Sequence, residues 1–332
     1  MKHAKEITSE SLDCCQKTGR AKTSNNGPSP RHFLTLRDFT KAELVELLDL
    51  AKQLKRMRIS KEDHPYLRGR CLALLFQKPS NRTRISFEVG MYQLGGNVVV
   101  VNPEDIKIGD REPTADVARV ISRYVDGVLI RAMSHTLIEE FARSSSIPVI
   151  NGLCDRYHPC QALSDVLTIQ EKLGTTAGKR LVFVGDGNNV CNSLINAAAH
   201  FDFTVTVSCP EGFEPDHRYC SGPFEVIHDP KKAVEGADII YTDVWTSMGQ
   251  EEETQKRLIA FQPYQVTKDL LDRASNQAIF MHCLPAHRGE EVSDEIAECP
   301  QSVIFDQAEN RLHTQKAILC KLLGDMPFGA LG

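Results

Sequence analysis

Along the chain, short runs of apolar residues alternate with stretches in which apolar residues recur every three or four positions. Thr40 followed by Glu43 forms a capping-box pattern ahead of Leu44, Leu47, Leu48, Ala51 and Leu54, which predicts an amphipathic first helix. Runs at 71–76, 98–101, 127–130 and 148–150 are each short enough to be a buried strand. A second set follows at 181–184, 204–207, 239–242, 279–282 and 303–305. Between the sets, 161–173 has helical periodicity and stops at Gly174, a residue suited to a helix C-cap. Residues 309–323 read as a last helix that packs back on the first domain. This alternation predicts an α/β protein of two domains, each a parallel-rich sheet flanked by helices.

Composition sharpens the picture. With 332 residues, 41% hydrophobic and 25% charged, the chain is too long for one small core, so two domains are expected. The divisions fall at 32–167, with the last helix 309–332 returning to that unit, and at 168–308; residues 1–31 are polar and read as a disordered arm. A formal charge of −5 supplies no excess of cations to release counterions from a nucleic acid, and no apolar run reaches the roughly 18 to 20 residues of a membrane span. The 11 cysteines are odd in number and without paired CxxC spacing, the pattern of reduced thiols in a cytosol-like compartment. Glu6, Glu10 and Asp13 interrupt the arm, which makes mitochondrial import the minority reading.

Candidate chemistry begins after the run 71–76, where Gln77-Lys78-Pro79-Ser80-Asn81-Arg82-Thr83-Arg84 leads into Ile85, Val89 and Tyr92 at helical spacing. A helix start offers unpaired N–H groups and partial positive charge, and with hydroxyls and arginines beside it the unit suits phosphate. Arg82 and Arg84 fall roughly 200° apart around a helix, so one is expected to meet ligand and the other to hold structure. Taken alone, Ser80 could be no more than an N-cap and the arginines surface ion-pair partners.

The segment resembles the Ser-x-Arg-Thr-Arg signature of the aspartate and ornithine carbamoyltransferases. Three further matches follow in that family's order: Arg131 after the run 127–130, His158-Pro159-Cys160-Gln161 opening a helix, and His282-Cys283-Leu284-Pro285 ending a late strand. The resemblance covers about residues 33 to 323. It implies a carbamoyl phosphate-binding first domain in which Ser80, Asn81, Arg82 and Thr83 hold the phosphate and Arg131 adds a second cation. It further implies that His158 and Gln161 hold the carbamoyl end, that Cys283 and Leu284 lie beside it, and that Arg311 reaches in from the last helix. Charge growing on the carbonyl oxygen needs fixed donors, for which Arg82, Thr83, Arg131 and His158 are the candidates. Asp165, four residues beyond Gln161, could orient the site's cations or serve a plain solvent-facing or capping role.

The second substrate is expected on the second domain. Residues 181–190, LVFVGDGNNV, have Gly185 and Gly187 but lack the third glycine of a dinucleotide fingerprint. Under the resemblance, Asn189 meets the α-carboxylate of an amino acid; the alternative is a tight turn capped by Asn188 or Asn189. Asp243-Val244-Trp245-Thr246-Ser247-Met248-Gly249 is similar to the Asp-x-x-x-Ser-Met-Gly loop of the ornithine-specific members, and Asp243, Ser247 and Met248 join Asn189 as ornithine ligands. The implied reaction moves the carbamoyl group of carbamoyl phosphate to the side-chain amine of ornithine, giving citrulline and phosphate. Direct attack by the amine requires no thiolate nucleophile, so Cys283 is read as orienting that amine, with a buried structural thiol as the alternative. No metal or organic cofactor is implied. Asn81 stands where a small hydroxyl is more usual, and Lys107 stands where the family presents a residue from a neighbouring subunit; the implied assembly is a trimer or a multiple of trimers with shared sites. The remaining rivals are a carbamoyltransferase for another amine, a nucleotide-dependent oxidoreductase using the Gly185 turn, and a non-catalytic carbamoyl phosphate sensor.

Overall fold

The computed structural model describes residues 30–101, 112–246 and 251–329. Helices of eight or more residues and all strands are numbered in chain order. The first unit runs α1 (Lys41–Ile59), β1 (Cys71–Phe76), α2 (Asn81–Gln93), β2 (Asn97–Val101), α3 (Thr114–Ile121), β3 (Gly127–Arg131), α4 (His135–Ser144) and β4 (Val149–Leu153). The second follows α5 (Pro159–Leu173) and runs β5 (Arg180–Val184), α6 (Asn189–Phe201), β6 (Thr204–Ser208), β7 (Phe224–Val226), β8 (Ile239–Thr242), α7 (Thr254–Phe261) and β9 (Ile279–His282). A long final helix, α8 (Ile304–Leu323), closes the described chain.

The strands form two wholly parallel sheets, in the orders β2-β1-β3-β4 and β7-β6-β5-β8-β9. Successive side chains point to opposite faces of a sheet, and the two faces fill different cores. Leu72 and Leu74 of β1 join Leu181 and Phe183 of β5 in one continuous cluster with residues of α1, α5, α6 and α8. Ala73 and Leu75 turn outward to α3 and α4, while Val182 and Val184 pack with Trp245 and Phe261. The inner helices are therefore a shared middle layer between two sheets. The extreme case is α5, buried without a break from Pro159 to Ile169; a helix enclosed on every side is expected to be apolar all round, so its polar members need explanation.

Most expected elements lie where the pattern placed them. Thr40 caps α1, its side chain accepting from the Glu43 N–H while Glu43 returns a bond to the Thr40 N–H, and Gly174 ends α5 at a φ of 76°. Arg31, counted with the arm in the sequence reading, is among the described residues and pairs with Glu43 at 3.1 Å. One expected strand is absent: at 303–305 a single bridge joins Phe280 to Ser302 and then α8 begins at Ile304. Three apolar residues are too few to separate strand from helix, and here Ile304 is buried while Phe305 faces out. An unexpected edge strand, β7, pairs Phe224 with Val205; it is only partly buried and carries Glu225, so no apolar run announces it.

Since Leu163 is buried between both sheets, Leu163→Ala is expected to lower stability by about 2–5 kcal/mol with little change in the slope of a urea titration. A cost near zero would show that the middle layer is not tightly packed.

Candidate active site

In each sheet the chain steps first to one side of its opening strand and then to the other, so a crevice opens at the carboxyl ends of the two strands flanking that reversal. These are β1 and β3 in the first sheet and β5 and β8 in the second. The residues at or just beyond their ends, Ser80 and Arg82, Arg131, Asp186 to Val190, and Asp243, line one cleft of about 500 Å³ together with His158, Cys283, Leu284 and Arg311.

The first-domain wall is cationic. Ser80 caps α2, its hydroxyl accepting from the Thr83 N–H at 3.4 Å, which leaves first-turn N–H groups without helical partners. Arg82 faces the cleft, whereas Arg84 turns to the surface and pairs with Glu88 at 3.0 Å. Arg311 arrives from α8 and donates to the Thr83 hydroxyl at 2.8 Å. Among the described residues no carboxylate forms an ion pair with Arg82, Arg131 or Arg311. Burial, and then the charges of Arg311 and Arg82, push Arg131 down to about 10. Three guanidinium groups held together against their mutual repulsion make a site suited to a multiply charged anion.

His158, the N-cap of α5, donates its backbone N–H to the Ser193 hydroxyl at 2.8 Å. Its ring is buried with Nδ1 unpartnered among the described residues, and burial followed by Arg311, Arg131 and Arg82 holds its pKa well below the usual imidazole value. The ring is therefore neutral, able to donate from one nitrogen without adding charge.

The second-domain wall is acidic. Asn188, not Asn189, caps α6: its side-chain oxygen accepts from the N–H groups of Val190 and Cys191, and its Nδ2 donates to Asp243 at 2.8 Å. Asn189 lines the cleft and donates to the Cys154 carbonyl. The other Asp243 oxygen accepts from the Cys283 thiol at 2.9 Å and from the Val244 N–H at 2.8 Å. Burial, and then Asp243, raise the Cys283 thiol well above its usual value, so it is a protonated donor and not a thiolate nucleophile. Asp186 stands beside them in a buried ion pair with Arg257 at 2.9 Å, and burial raises its carboxyl to about 6.

Other expected residues lie elsewhere. Thr83 and Gln161 sit beneath the cleft surface, and Asn81 faces a separate groove with Ile85, Val89 and Leu312. Lys107, Ser247 and Met248 lie outside the described residues. Asp165 neither faces solvent nor caps: it is wholly buried and bonded to Gln161, Gln307 and Tyr241. The Leu284-Pro285 peptide is cis. Asp243, His282 and Cys283 bring ligand atoms within 4.8 Å of one another, but the two ring nitrogens of His282 are engaged by the Leu284 N–H and by Glu291, and the thiol by Asp243. The Gly187 turn is likewise occupied by the protein itself, since a Cβ there would lie 2.3 Å from the Pro215 nitrogen. Asp186, Arg257, Glu214 and Asp216 were not singled out by sequence; only Asp186 had a signal, its place between two turn glycines.

Fold and cleft together define a two-domain α/β enzyme with an anion-binding wall facing an acidic wall. Residues 31–171 match the family model described as aspartate/ornithine carbamoyltransferase, carbamoyl-P binding domain, and residues 177–322 match its Asp/Orn binding domain. The chain belongs to the aspartate/ornithine carbamoyltransferase family. It is 50% identical over 309 residues to an ornithine carbamoyltransferase of Pyrococcus horikoshii, covering 90% of this chain and 98% of that one. It is also 50% identical over 294 residues to an anabolic ornithine carbamoyltransferase of Pseudomonas aeruginosa, covering 88% and 96%. Among solved structures, ornithine carbamoyltransferase from Pyrococcus furiosus superposes with a TM-score of 0.86 at 48% identity, covering 90% of this chain and 99% of that one.

Two outcomes are expected. The His158 ring should remain neutral from about pH 6 to about pH 8 in a nitrogen-resolved titration; protonation near the usual value of about 6.5 would contradict its burial among arginines. Gly187→Ala should raise the amino-acid requirement at least about tenfold, because the backbone at 214–215 must move to admit the methyl group.

Proposed function

We propose that the chain is an ornithine carbamoyltransferase, transferring the carbamoyl group of carbamoyl phosphate to the side-chain amine of L-ornithine with release of L-citrulline and phosphate. The observation that carries this reading is the pairing, within one cleft, of three arginines that have no carboxylate partner among the described residues with the acidic Asp243 end. The named activities of relatives at about half identity over nearly their whole length support the same choice.

The phosphate sits at the start of α2 against Ser80 and the first-turn N–H groups, held by Arg82, Arg131 and Arg311 with Thr83 steadying Arg311. The carbonyl oxygen of the donor meets Arg82, Arg131 and the neutral His158, and its amide end meets Gln161 and the Leu284 segment. Ornithine enters second. Asp243 takes its α-ammonium, Asn189 its α-carboxylate, and Ser247 and Met248 belong to the same reading. The neutral side-chain amine attacks the carbonyl carbon, forming the new C–N bond and placing negative charge on oxygen. Fixed donors stabilise that charge without reorganising. The bond to the phosphate oxygen then breaks, phosphate leaves with the electron pair, and the amine's surplus proton passes to phosphate or water. Cys283, a protonated thiol on Asp243, orients the reacting amine.

The domain boundary near 167/168, with residues 309–332 counted to the first domain, belongs to this reading and is supported by Lys321 of α8 bonding to Glu46 of α1 at 2.8 Å. A homotrimer or multiple of trimers is supported by the outward face of α2, where Ile85, Val89 and Tyr92 are exposed beside the Asn81 groove; Lys107 would then reach a neighbour's site. A cytoplasmic location is supported by nine free thiols among the described residues.

Purified protein given carbamoyl phosphate should release citrulline with ornithine and not with putrescine, acetylornithine or aspartate. Turnover of another amine would keep the anion site and discard the assignment of Asp243; no turnover with any amine would discard the enzyme reading. Asp243→Asn should raise KM for ornithine roughly a hundredfold while leaving that for carbamoyl phosphate within about threefold, and equal effects on both would remove Asp243 from the ornithine site.

A further inference from the structure

His158, Gln161 and Asp165 follow one another at the three- and four-residue spacing that stacks side chains on one face of a helix. The row leads inward from the cleft, where His158 lies, to a buried carboxylate with no ion-pair partner among the described residues. One Asp165 oxygen accepts from Gln161 Nε2 and from Gln307 Nε2, both at 2.8 Å; the other accepts from the Tyr241 hydroxyl at 3.1 Å.

An amide can turn over at almost no steric cost, exchanging a donor for an acceptor at the same place. Gln307 cannot, because its Oε1 accepts the backbone N–H of His282 at 2.9 Å, so its Nε2 must face Asp165. The shared Asp165 oxygen is thereby committed to accepting, and an accepting atom admits only the N–H end of Gln161. Gln161 Oε1 is left buried and without a partner among the described residues. A buried unpartnered oxygen strongly prefers a ligand that brings it an N–H.

We propose that Asp165 is a positioning residue which locks the Gln161 amide with its oxygen as the end offered to substrate, so that the site selects an acyl phosphate whose acyl carbon bears N–H over one that bears a methyl group. This rests on the reading of Gln161 as a contact of the carbamoyl end. Burial raises Asp165 to about 7, yet a proton held on the oxygen facing Tyr241 leaves the shared oxygen an acceptor. The lock therefore requires an acceptor at that point and not a charge. Asparagine can supply that acceptor; leucine, of similar volume, cannot.

The test compares dissociation constants for carbamoyl phosphate and acetyl phosphate by competition calorimetry, since the ratio cancels effects on the common phosphate end. The wild-type protein should prefer carbamoyl phosphate by about 10- to 100-fold, the discrimination of one well-placed buried hydrogen bond. Asp165→Asn should keep that ratio and Asp165→Leu should bring it close to one, with phosphate itself bound as before. Should Asp165→Leu not fold, Asp165→Thr serves, because a hydroxyl both donates and accepts and cannot enforce either orientation. Gln161→Met should collapse the ratio equally, and combining it with the Asp165 change should add nothing further. A ratio retained without the acceptor, a ratio lost with asparagine, or an equal loss of affinity for both acyl phosphates would overturn the proposal. Preference for carbamoyl phosphate without citrulline release would instead refute the proposed overall reaction and leave this assignment standing.

Discussion

The structure depends on placing α5 where water cannot reach it. Two parallel sheets each need both faces covered, and here α5 helps cover the inner face of both at once. Such a helix cannot leave a polar side chain unsatisfied without a cost comparable to a lost hydrogen bond. Ser164 is accordingly matched to the Gln307 carbonyl and Asp165 to Tyr241 and Gln307, and the N-cap His158 gives its backbone N–H to Ser193, whereas Gln161 Oε1 is an exception, with no partner among the described residues. The same enclosure delivers His158 to the cleft in a neutral state.

The two walls of the cleft are built by opposite electrostatic choices made on the same topological device. At the first reversal point, repulsion among Arg82, Arg131 and Arg311 is tolerated because their backbone supports come from three separate elements, α2, β3 and α8. At the second, Asp243 and Asp186 lie in mutual repulsion, and each has its own brake: Asn188 and Cys283 donate to one, Arg257 to the other. Arg257 also donates to the Trp245 carbonyl and pairs with Glu253, so the acidic wall is tied to the segments on both sides of residues 247–250.

What could be read beforehand follows from the range of the interactions. Strands 71–76, 239–242 and 279–282 were legible because a buried parallel strand is an uninterrupted apolar run. β7 was not, since an edge strand with Glu225 at its centre has no such run, and 303–305 misled because apolar content alone does not choose between strand and helix. Cleft-facing residues such as Arg82, Arg131, His158 and Asp243 sit in compact local motifs. The partners that prepare them do not: Asp186 lies 71 positions from Arg257, and Asp165 lies 142 from Gln307. The buried fate of Asp165 could not be separated from a solvent-facing one until the second sheet was in place.

The final helix gives the order of synthesis a chemical meaning. Arg311 completes the anion wall and Gln307 completes the support beneath it, yet both reside on the last described helix. A chain still emerging from the ribosome can assemble the first sheet early, as units near the amino end generally do. It would hold two of the three guanidinium groups and no finished support for the donor. Competence arrives abruptly with the final helix, so partial translation products should be silent toward carbamoyl phosphate and not squander an activated compound while they fold.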